Sequence, residues 1–201
     1  YAVVDPKRKD YKGQFTDFAG CAVALKFAQA ILMSYDELYE KDLYVIDTET
    51  TGLHPQADEI CEIAAVRLRN FKPVGAFQSL VRISKPMPEH VVAIHGITNE
   101  MCSAAPEPAE VIKKFLDFIN DGVIVAHNAE FDLSFLRHYA KTYAGKKINN
   151  KVIDTLTISR EYFPFRSHAL GSLIKDLGFY DFQGHRAMKD VEATIKVFER
   201  L

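Results

Sequence analysis

A short apolar run that ends in two acids constrains the fold most strongly. Residues 43–46 are apolar without interruption, and Asp47 and Glu49 follow them. Such a run is typical of a strand buried on both faces, in the middle of a covered sheet. Side chains two residues apart on a strand point the same way, so we expect the two carboxylates side by side at the strand end, where a turn follows. A solvated pair of acids is the alternative interpretation.

The remaining pattern predicts one α/β domain over residues 42–201. Two further strands are expected at 59–70 and 74–83, joined as a hairpin by Phe71, Lys72 and Pro73. A short buried strand and several helices follow, because apolar residues there recur at helical spacing. The helices are expected within residues 106–120, 128–143, 167–179 and 187–201, with Asn128 as the N-cap of the second and Gly178 ending the third.

Composition narrows the class of function. The 201 residues carry a formal net charge of -2, so a nucleic-acid role must depend on a local site rather than on a bulk basic surface. Cys21, Cys61 and Cys102 lack the spacing of a zinc site or redox motif, and no apolar run is long enough to span a membrane. These features predict a globular cytoplasmic protein. The chain begins with Tyr1, which predicts a piece of a longer polypeptide.

Two more acids lie on apolar faces of predicted helices. Asp132 is followed at helical spacing by Phe135 and Leu136, and Asp190 by Val197. A hydrogen-bonded core acid explains one such residue, but two are harder to explain in that way. If both meet the strand end, four acids converge and require divalent cations, for which oxygen ligands suit Mg²⁺ or Mn²⁺. Two ions roughly 3.5–4 Å apart can clamp a phosphodiester, which is nuclease chemistry.

A histidine close to the last acid completes the predicted set. His185 precedes Asp190 by five residues, in a loop with Gly184 beside it. An imidazole ordinarily exchanges protons near neutral pH, so His185 is suited to act as a general base on an attacking water. A surface histidine without a role is the alternative interpretation.

Four sequence blocks carry these residues in a characteristic order. They are DTETTG (47–52), HGIT (95–98), AHNAEFD (126–132) and HRAMKD (185–190). In order and spacing they resemble the DnaQ-like, DEDDh-type 3′–5′ exonucleases, over about residues 42–201. The resemblance implies a ribonuclease H-like α/β fold, with a mixed five-stranded sheet flanked by helices.

The same resemblance implies a role for each matching residue. It assigns metal binding to Asp47, Glu49, Asp132 and Asp190, and the general base to His185. The sister subfamily has a Tyr four residues before the last Asp, where this chain has Arg186, so the histidine type is indicated.

Residues near the terminal nucleotide are also implied by the resemblance. They are Thr50, Thr51 and Gly52 beside its sugar and base, His95 and Phe131 in the base pocket, and Asn128 near the scissile backbone. Loop packing for His95, core packing for Phe131 and helix capping for Asn128 are the alternatives. Asp154 is expected to cap a helix rather than to act as a fifth ligand.

The first 41 residues do not fit this family. A polar stretch, DPKRKDYKG (5–13), precedes residues 19–33, which are apolar nearly all round a predicted helix. Together they resemble a short segment of the DHH-type phosphoesterase domain of RecJ-like single-strand exonucleases. None of the catalytic motifs of that family is present, so we expect a linker or part of a neighbouring domain in a larger parent chain. A disordered leader is the alternative.

The favoured function is removal of nucleoside monophosphates from 3′ ends by two Mg²⁺ or Mn²⁺ ions. Single-stranded or frayed DNA is the expected substrate, as in proofreading or repair, because an end-acting enzyme contacts few phosphates and needs no basic surplus. An exoribonuclease, a non-catalytic nucleic-acid-binding or partner-docking module, and a phosphatase or nucleotide hydrolase using the same metals are the alternatives.

Overall fold

Five strands form one mixed sheet. The computed structural model of the protein describes residues 41–179 and 184–201, and within them the strand order is β3-β2-β1-β4-β5. The strands are β1 (Leu43–Thr50), β2 (Ile60–Arg69), β3 (Lys72–Leu80), β4 (Val123–Ala126) and β5 (Val152–Asp154). β2 is antiparallel to both of its neighbours, β1 and β3, whereas β4 is parallel to both of its neighbours, β1 and β5.

β1 lies at the centre of this sheet, between β2 and β4. Its residues 43–46 are at most 3% exposed, so the apolar run is covered on both faces as predicted. The predicted mixed five-stranded sheet is confirmed as well.

The β2–β3 hairpin turns earlier than predicted. Asn70 and Phe71 both have left-handed backbone conformations, with φ of 52° and 56°, and they form a two-residue turn. Lys72 and Pro73 already belong to β3. The predicted connection through these two residues is therefore wrong. Positive φ at both turn positions matches the twist of paired strands, and Pro73 is tolerated because β3 is an edge strand.

Seven α-helices accompany the sheet in the described ranges. They are α1 (Glu89–His95), α2 (Asn99–Ser103), α3 (Pro108–Ile119), α4 (Ala129–Tyr139), α5 (Thr155–Tyr162), α6 (Leu170–Asp176) and α7 (Ala187–Phe198). A π-helical turn (Ala140–Ala144) continues α4.

The helices cover opposite faces of the sheet near β1. Tyr44 and Ile46 share a core cluster with residues of α3 and α4, whereas α7 packs against β1 and β2. Because side chains alternate along a strand, Asp47 and Glu49 point away from the face of Tyr44 and Ile46 and towards α7. The carboxyl end of β1 is thus reached by one helix from each face.

Two predicted helix ends differ in detail from the structure. α4 begins after Asn128 as expected, but the Asn128 side chain makes no capping hydrogen bond. Its backbone is left-handed, with φ of 67°, and its N–H donates to Asp154 Oδ1 at 3.0 Å. Asp154 also accepts from the N–H of Leu156 at 2.9 Å, so the predicted capping role of Asp154 is confirmed.

α6 is shorter than predicted. It begins at Leu170, so Ser167 and His168 lie in the preceding loop rather than in the helix. Gly178, with φ of 87°, ends the helical segment as predicted, and the N–H of Phe179 donates back to the carbonyl of Ile174 at 2.9 Å.

The predicted N-terminal helix at 19–33, with its RecJ-like segment, lies outside the described residues. Within residues 41–179 and 184–201, no helix has the length and apolar character needed to cross a membrane.

A bulge interrupts the pairing of β1 and β2 beside the two strand acids. Glu49 lies opposite Glu62 and Thr50 opposite Ile60, which leaves one extra residue in β2. The hydroxyl oxygen of Tyr139 accepts a hydrogen bond from the N–H of Ile60 at 2.9 Å. This contact ties the bulged strand to α4.

We expect Tyr139→Phe to lower the free energy of unfolding by about 1–3 kcal/mol, because it leaves the buried N–H of Ile60 without its acceptor. Chemical denaturation measures the change. Tyr143→Phe is the matched control, since Tyr143 is 37% exposed and contacts Tyr139 through its ring. Equal stability of the two variants would contradict this role of the hydroxyl.

Candidate active site

A cavity of about 740 Å³ opens at the carboxyl end of β1. Its lining includes all five residues predicted to be catalytic, namely Asp47, Glu49, Asp132, His185 and Asp190. Residues separated by up to 143 positions in the sequence therefore share one space. The fold places them there through β1, α4, α7 and the loop before α7.

Three of the four predicted metal ligands form a close group. Asp47, Glu49 and Asp190 each offer a carboxylate oxygen, and these oxygens lie within 4.8 Å of one another. All three side chains are half-buried. Carboxylates at this separation form a site that can hold a divalent cation with oxygen ligands.

Asp132 approaches the cavity from α4, on the other face of the sheet. It is only 3% exposed, and its Oδ1 accepts hydrogen bonds from the N–H and the hydroxyl of Thr48 at 2.9 and 2.8 Å. Among the described residues, Asp132 is not a member of the three-carboxylate group. Thr48 points away from Asp47 and Glu49, which accounts for the separate position of Asp132.

Asp190 is fixed by the backbone that carries His185. Its Oδ2 accepts from the N–H of His185 at 2.8 Å and from the N–H of Arg186 at 3.1 Å, so the first turn of α7 and the preceding loop are bound together. His185 is exposed at the cavity. Its φ of 69° is uncommon for a residue other than glycine, and the two hydrogen bonds to Asp190 stabilise this conformation.

Sequence reasoning missed Glu62, which is 1% exposed. It lies directly opposite Glu49 in the β1–β2 pairing, where like charges destabilise a sheet. Arg186 offsets this repulsion by donating from Nε and Nη2 to the two carboxylate oxygens of Glu62 at 3.1 and 2.9 Å. The N–H of Ala187 donates to the same carboxylate at 3.2 Å. The sequence does contain a signal for Glu62, because it is the one charged residue in the otherwise apolar stretch 60–66.

The acids alter one another's protonation. Burial, followed by the charges of Asp132 and Asp190, holds the pKa of Asp47 well above its usual range. Burial, with Asp190 and Glu62, raises the pKa of Glu49 to about 8. Burial raises the pKa of Asp132 to about 7, against the hydrogen bonds from Thr48.

Burial and hydrogen bonding also set the pKa values of Asp190 and Glu62. Burial raises the pKa of Asp190, against the two backbone hydrogen bonds that it accepts. Burial acts on Glu62 too, but the hydrogen bonds from Arg186 and Gln78 outweigh it and leave the pKa of Glu62 below its ordinary value. The cavity therefore carries several carboxyl groups that favour a proton or a cation as partner, whereas Glu62, opposite Glu49 in the sheet, already has a cationic partner.

The predicted nucleotide-binding turn after β1 is held by local hydrogen bonds. The hydroxyl of Thr50 donates to the carbonyl of Gly52, and the hydroxyl of Thr51 accepts from the N–H of Glu59 at 2.9 Å. A Cβ at Gly52 would lie 2.4 Å from the carboxylate of Asp58, so glycine permits this close approach. None of the three predicted residues is among those that line the cavity.

Of the other three predicted substrate residues, two line the cavity and one does not. Asn128 and Phe131 line the cavity, and Phe131 also packs against the core. His95 is 4% exposed, its Nδ1 accepts from the N–H of Ile97 at 3.0 Å, and it is not among the lining residues. Loop packing accounts for its position, and its substrate role stays a prediction.

A second part of the lining was also missed. It is formed by polar and basic residues of α5 and of the loop before α6, together with the residue that precedes Asn128. These are His127, Arg160, Arg166, Ser167 and His168. His127 lies within the block AHNAEFD (126–132) and could have been found from the sequence, whereas Ser167 and His168 were assigned to a helix.

Comparison with known proteins places this geometry in a family. The model of the exonuclease family of the RNase T type matches residues 44–198. A DNA polymerase III PolC-type protein of Thermotoga petrophila is 39% identical over 169 residues, which are 84% of this chain and 12% of that protein. DNA polymerase III subunit epsilon of Aquifex aeolicus is 33% identical over 178 residues, which are 88% of each chain.

A solved structure agrees with the family match. Exonuclease X in complex with 5′ overhanging duplex DNA has a TM-score of 0.61 and 30% sequence identity, over 78% of this chain and 89% of that one. The mixed sheet and the acidic cavity at the end of its central strand define a ribonuclease H-like nuclease domain. The chain belongs to the exonuclease family, and the predicted DnaQ-like 3′–5′ exonuclease domain is confirmed.

We expect Arg186→Gln to destabilise the protein, because it leaves the buried Glu62 charge unpaired. Breaking a buried ion pair costs roughly 3–5 kcal/mol, and the lower end applies since the Arg186 side chain is 40% exposed. Arg82→Gln, at a surface pair with Glu107, should cost about 1 kcal/mol or less. Denaturant unfolding compares the two; similar losses would mean that the Glu62–Arg186 pair is no more than a surface pair.

The melting temperature in EDTA should fall as the pH rises. The folded pKa of Glu49, about 8, exceeds its ordinary 4.5, so the folded state binds more protons between these values and its stability decreases through that range. Glu49→Gln removes this group and should flatten the slope, while the surface variant Glu107→Gln should not. Thermal melts from pH 5 to pH 8.5 test this, and equal slopes in all three proteins would refute it.

Proposed function

We propose that this 3′–5′ exonuclease domain hydrolyses the terminal phosphodiester of single-stranded or frayed DNA and releases nucleoside monophosphates. The observation that carries the proposal is the close group of Asp47, Glu49 and Asp190 in an open cavity that also contains Asp132 and His185. The family match supports exonuclease chemistry for this cavity.

Two Mg²⁺ or Mn²⁺ ions are the proposed cofactors. The donors fit: they are carboxylate oxygens, which hard divalent cations prefer, and the raised pKa values of Asp47 and Glu49 indicate a shortage of positive charge around them. Asp47, Glu49 and Asp190 would hold the ions together with Asp132. When bound, such ions activate water as a nucleophile and stabilise the negative charge of the leaving oxygen.

The chain's own residues have distinct proposed roles. His185 accepts the proton of the attacking water through a ring nitrogen, and its exposure at the cavity supports this role. Asp190 positions His185 by accepting its backbone N–H, and Thr48 fixes the Asp132 carboxylate. Asn128 and Phe131, with the turn at Thr50, would contact the terminal nucleotide and its scissile backbone.

DNA is the proposed polymer because the relatives with matching sequence are named as parts of DNA polymerase III, and because Exonuclease X was solved with DNA. Proofreading or repair in the cytoplasm would suit such a domain. The small share of the PolC-type protein that matches supports a larger parent polypeptide, to which residues 1–41 would contribute a linker or part of a neighbouring domain.

Hydrolysis of 5′-labelled single-stranded DNA and RNA oligomers of matched sequence tests the proposal. With Mg²⁺ or Mn²⁺, we expect a ladder that shortens from the 3′ end, faster on DNA, and lost on addition of EDTA. His185→Ala should reduce the rate by about 10²–10⁴-fold, since a general base contributes that much. Asp190→Ala should abolish turnover.

His90→Ala is the matched control, because His90 is an exposed histidine of α1 outside the cavity lining. Circular dichroism and melting curves establish that each variant is folded. Faster shortening of RNA would replace DNA by RNA as substrate. No shortening of either polymer by folded, metal-loaded protein would favour the non-catalytic binding module instead.

A further inference from the structure

Among the arginines that the structure describes, two at the cavity differ from the others in their partners. In residues 41–179 and 184–201, Arg200 lies over the ring of Phe179, and five arginines pair with carboxylates. Those five are Arg67, Arg69, Arg82, Arg137 and Arg186. Within the same ranges, Arg160 and Arg166 form no ion pair or ring contact, although both are exposed and both line the cavity.

The segment that carries these arginines is fixed to the end of β4. His127 contacts the Thr155 hydroxyl through Nδ1 at 2.9 Å and the His168 carbonyl through Nε2 at 3.0 Å. His168 Nδ1 lies 3.1 Å from the hydroxyl of Ser159. These contacts join α5 and the loop before α6 to the strand that leads into α4. Arg160 and Arg166 therefore extend from an anchored wall of the cavity.

The cavity thus combines a carboxylate group with two cationic side chains that pair with no carboxylate of the described part of the chain. Guanidinium groups bind phosphate oxygens through paired hydrogen bonds. A ligand that satisfies both parts must place one phosphate at the acidic group, through cations, and further phosphates at the arginines. A nucleic-acid strand has this repeated arrangement of charge.

We infer that Arg160 and Arg166 form a binding site for the backbone phosphates that lie on the 5′ side of the scissile bond. The inference rests on the proposed function, which supplies the position of that bond. The two arginines bind the strand that is retained after cleavage, whereas the carboxylates and His185 act on the terminal phosphodiester.

Two substrates separate strand binding from chemistry. One is a single-stranded thymidine oligomer, and the other is the p-nitrophenyl ester of thymidine 5′-monophosphate, which has one phosphodiester and no phosphate beyond it. For Arg160→Gln and Arg166→Gln we expect KM for the oligomer to rise about tenfold each, as for loss of a charged hydrogen bond. Ester hydrolysis should stay within about twofold of the wild type.

Binding of a 5′-fluorescein-labelled oligomer in EDTA, followed by anisotropy, measures the same contacts without turnover. The double variant should bind more weakly, and its plot of log affinity against log salt should be flatter by about 1.4, or about 0.7 for each lost phosphate contact. Arg69→Gln is the matched control, since Arg69 pairs with Asp42 beyond the opposite end of β1, and it should change neither assay.

Unchanged oligomer KM and affinity in the double variant would overturn the inference. An equal loss on ester and oligomer would overturn it as well, because the arginines would then act on the chemistry or the fold. If the wild type hydrolyses neither substrate, the proposed function fails; the anisotropy comparison still decides whether the arginines bind the strand.

Discussion

Mutual repulsion among carboxylates at the end of β1 is the constraint on which the site depends. Asp47 and Glu49 point to one face of a central strand, and the paired strand adds Glu62 directly opposite Glu49. Asp190 then approaches from α7. Such a concentration of acids would not be stable if all were ionised without partners, so protons, cations and Arg186 determine how the groups coexist.

The sheet separates these acids by the face from which they approach. α4 lies on the face of Ile46 and places Asp132 against Thr48. α7 lies on the other face and places Asp190 beside Asp47 and Glu49. The bulge beside Glu49 ends the regular pairing where the cavity opens. A strand that is buried along its first half and open at its end thus combines a rigid support with access for a substrate.

Much of this arrangement could be predicted because it depends on local pattern. The apolar run before Asp47 indicates a central strand, and the helical stripes around Asp132 and Asp190 indicate inward-facing acids. The partner of Glu62 could not be predicted, since Arg186 is 124 positions away and only the folded sheet brings them together. His95 and the turn at Thr50 showed a similar limit: a motif gives residue identity, but packing decides whether a side chain faces the cavity or its own loop.

The connection between β2 and α7 has a consequence for how the protein is made. Glu62 and Arg186 join an early strand to the last helix, and Asp190 and His185 both depend on that helix and its preceding loop. While the ribosome is still adding residues before α7, the five strands are already synthesised, but the cavity lacks Asp190 and His185. The acidic group is therefore complete only once α7 has packed against β1 and β2, so the proposed chemistry would depend on that step of folding.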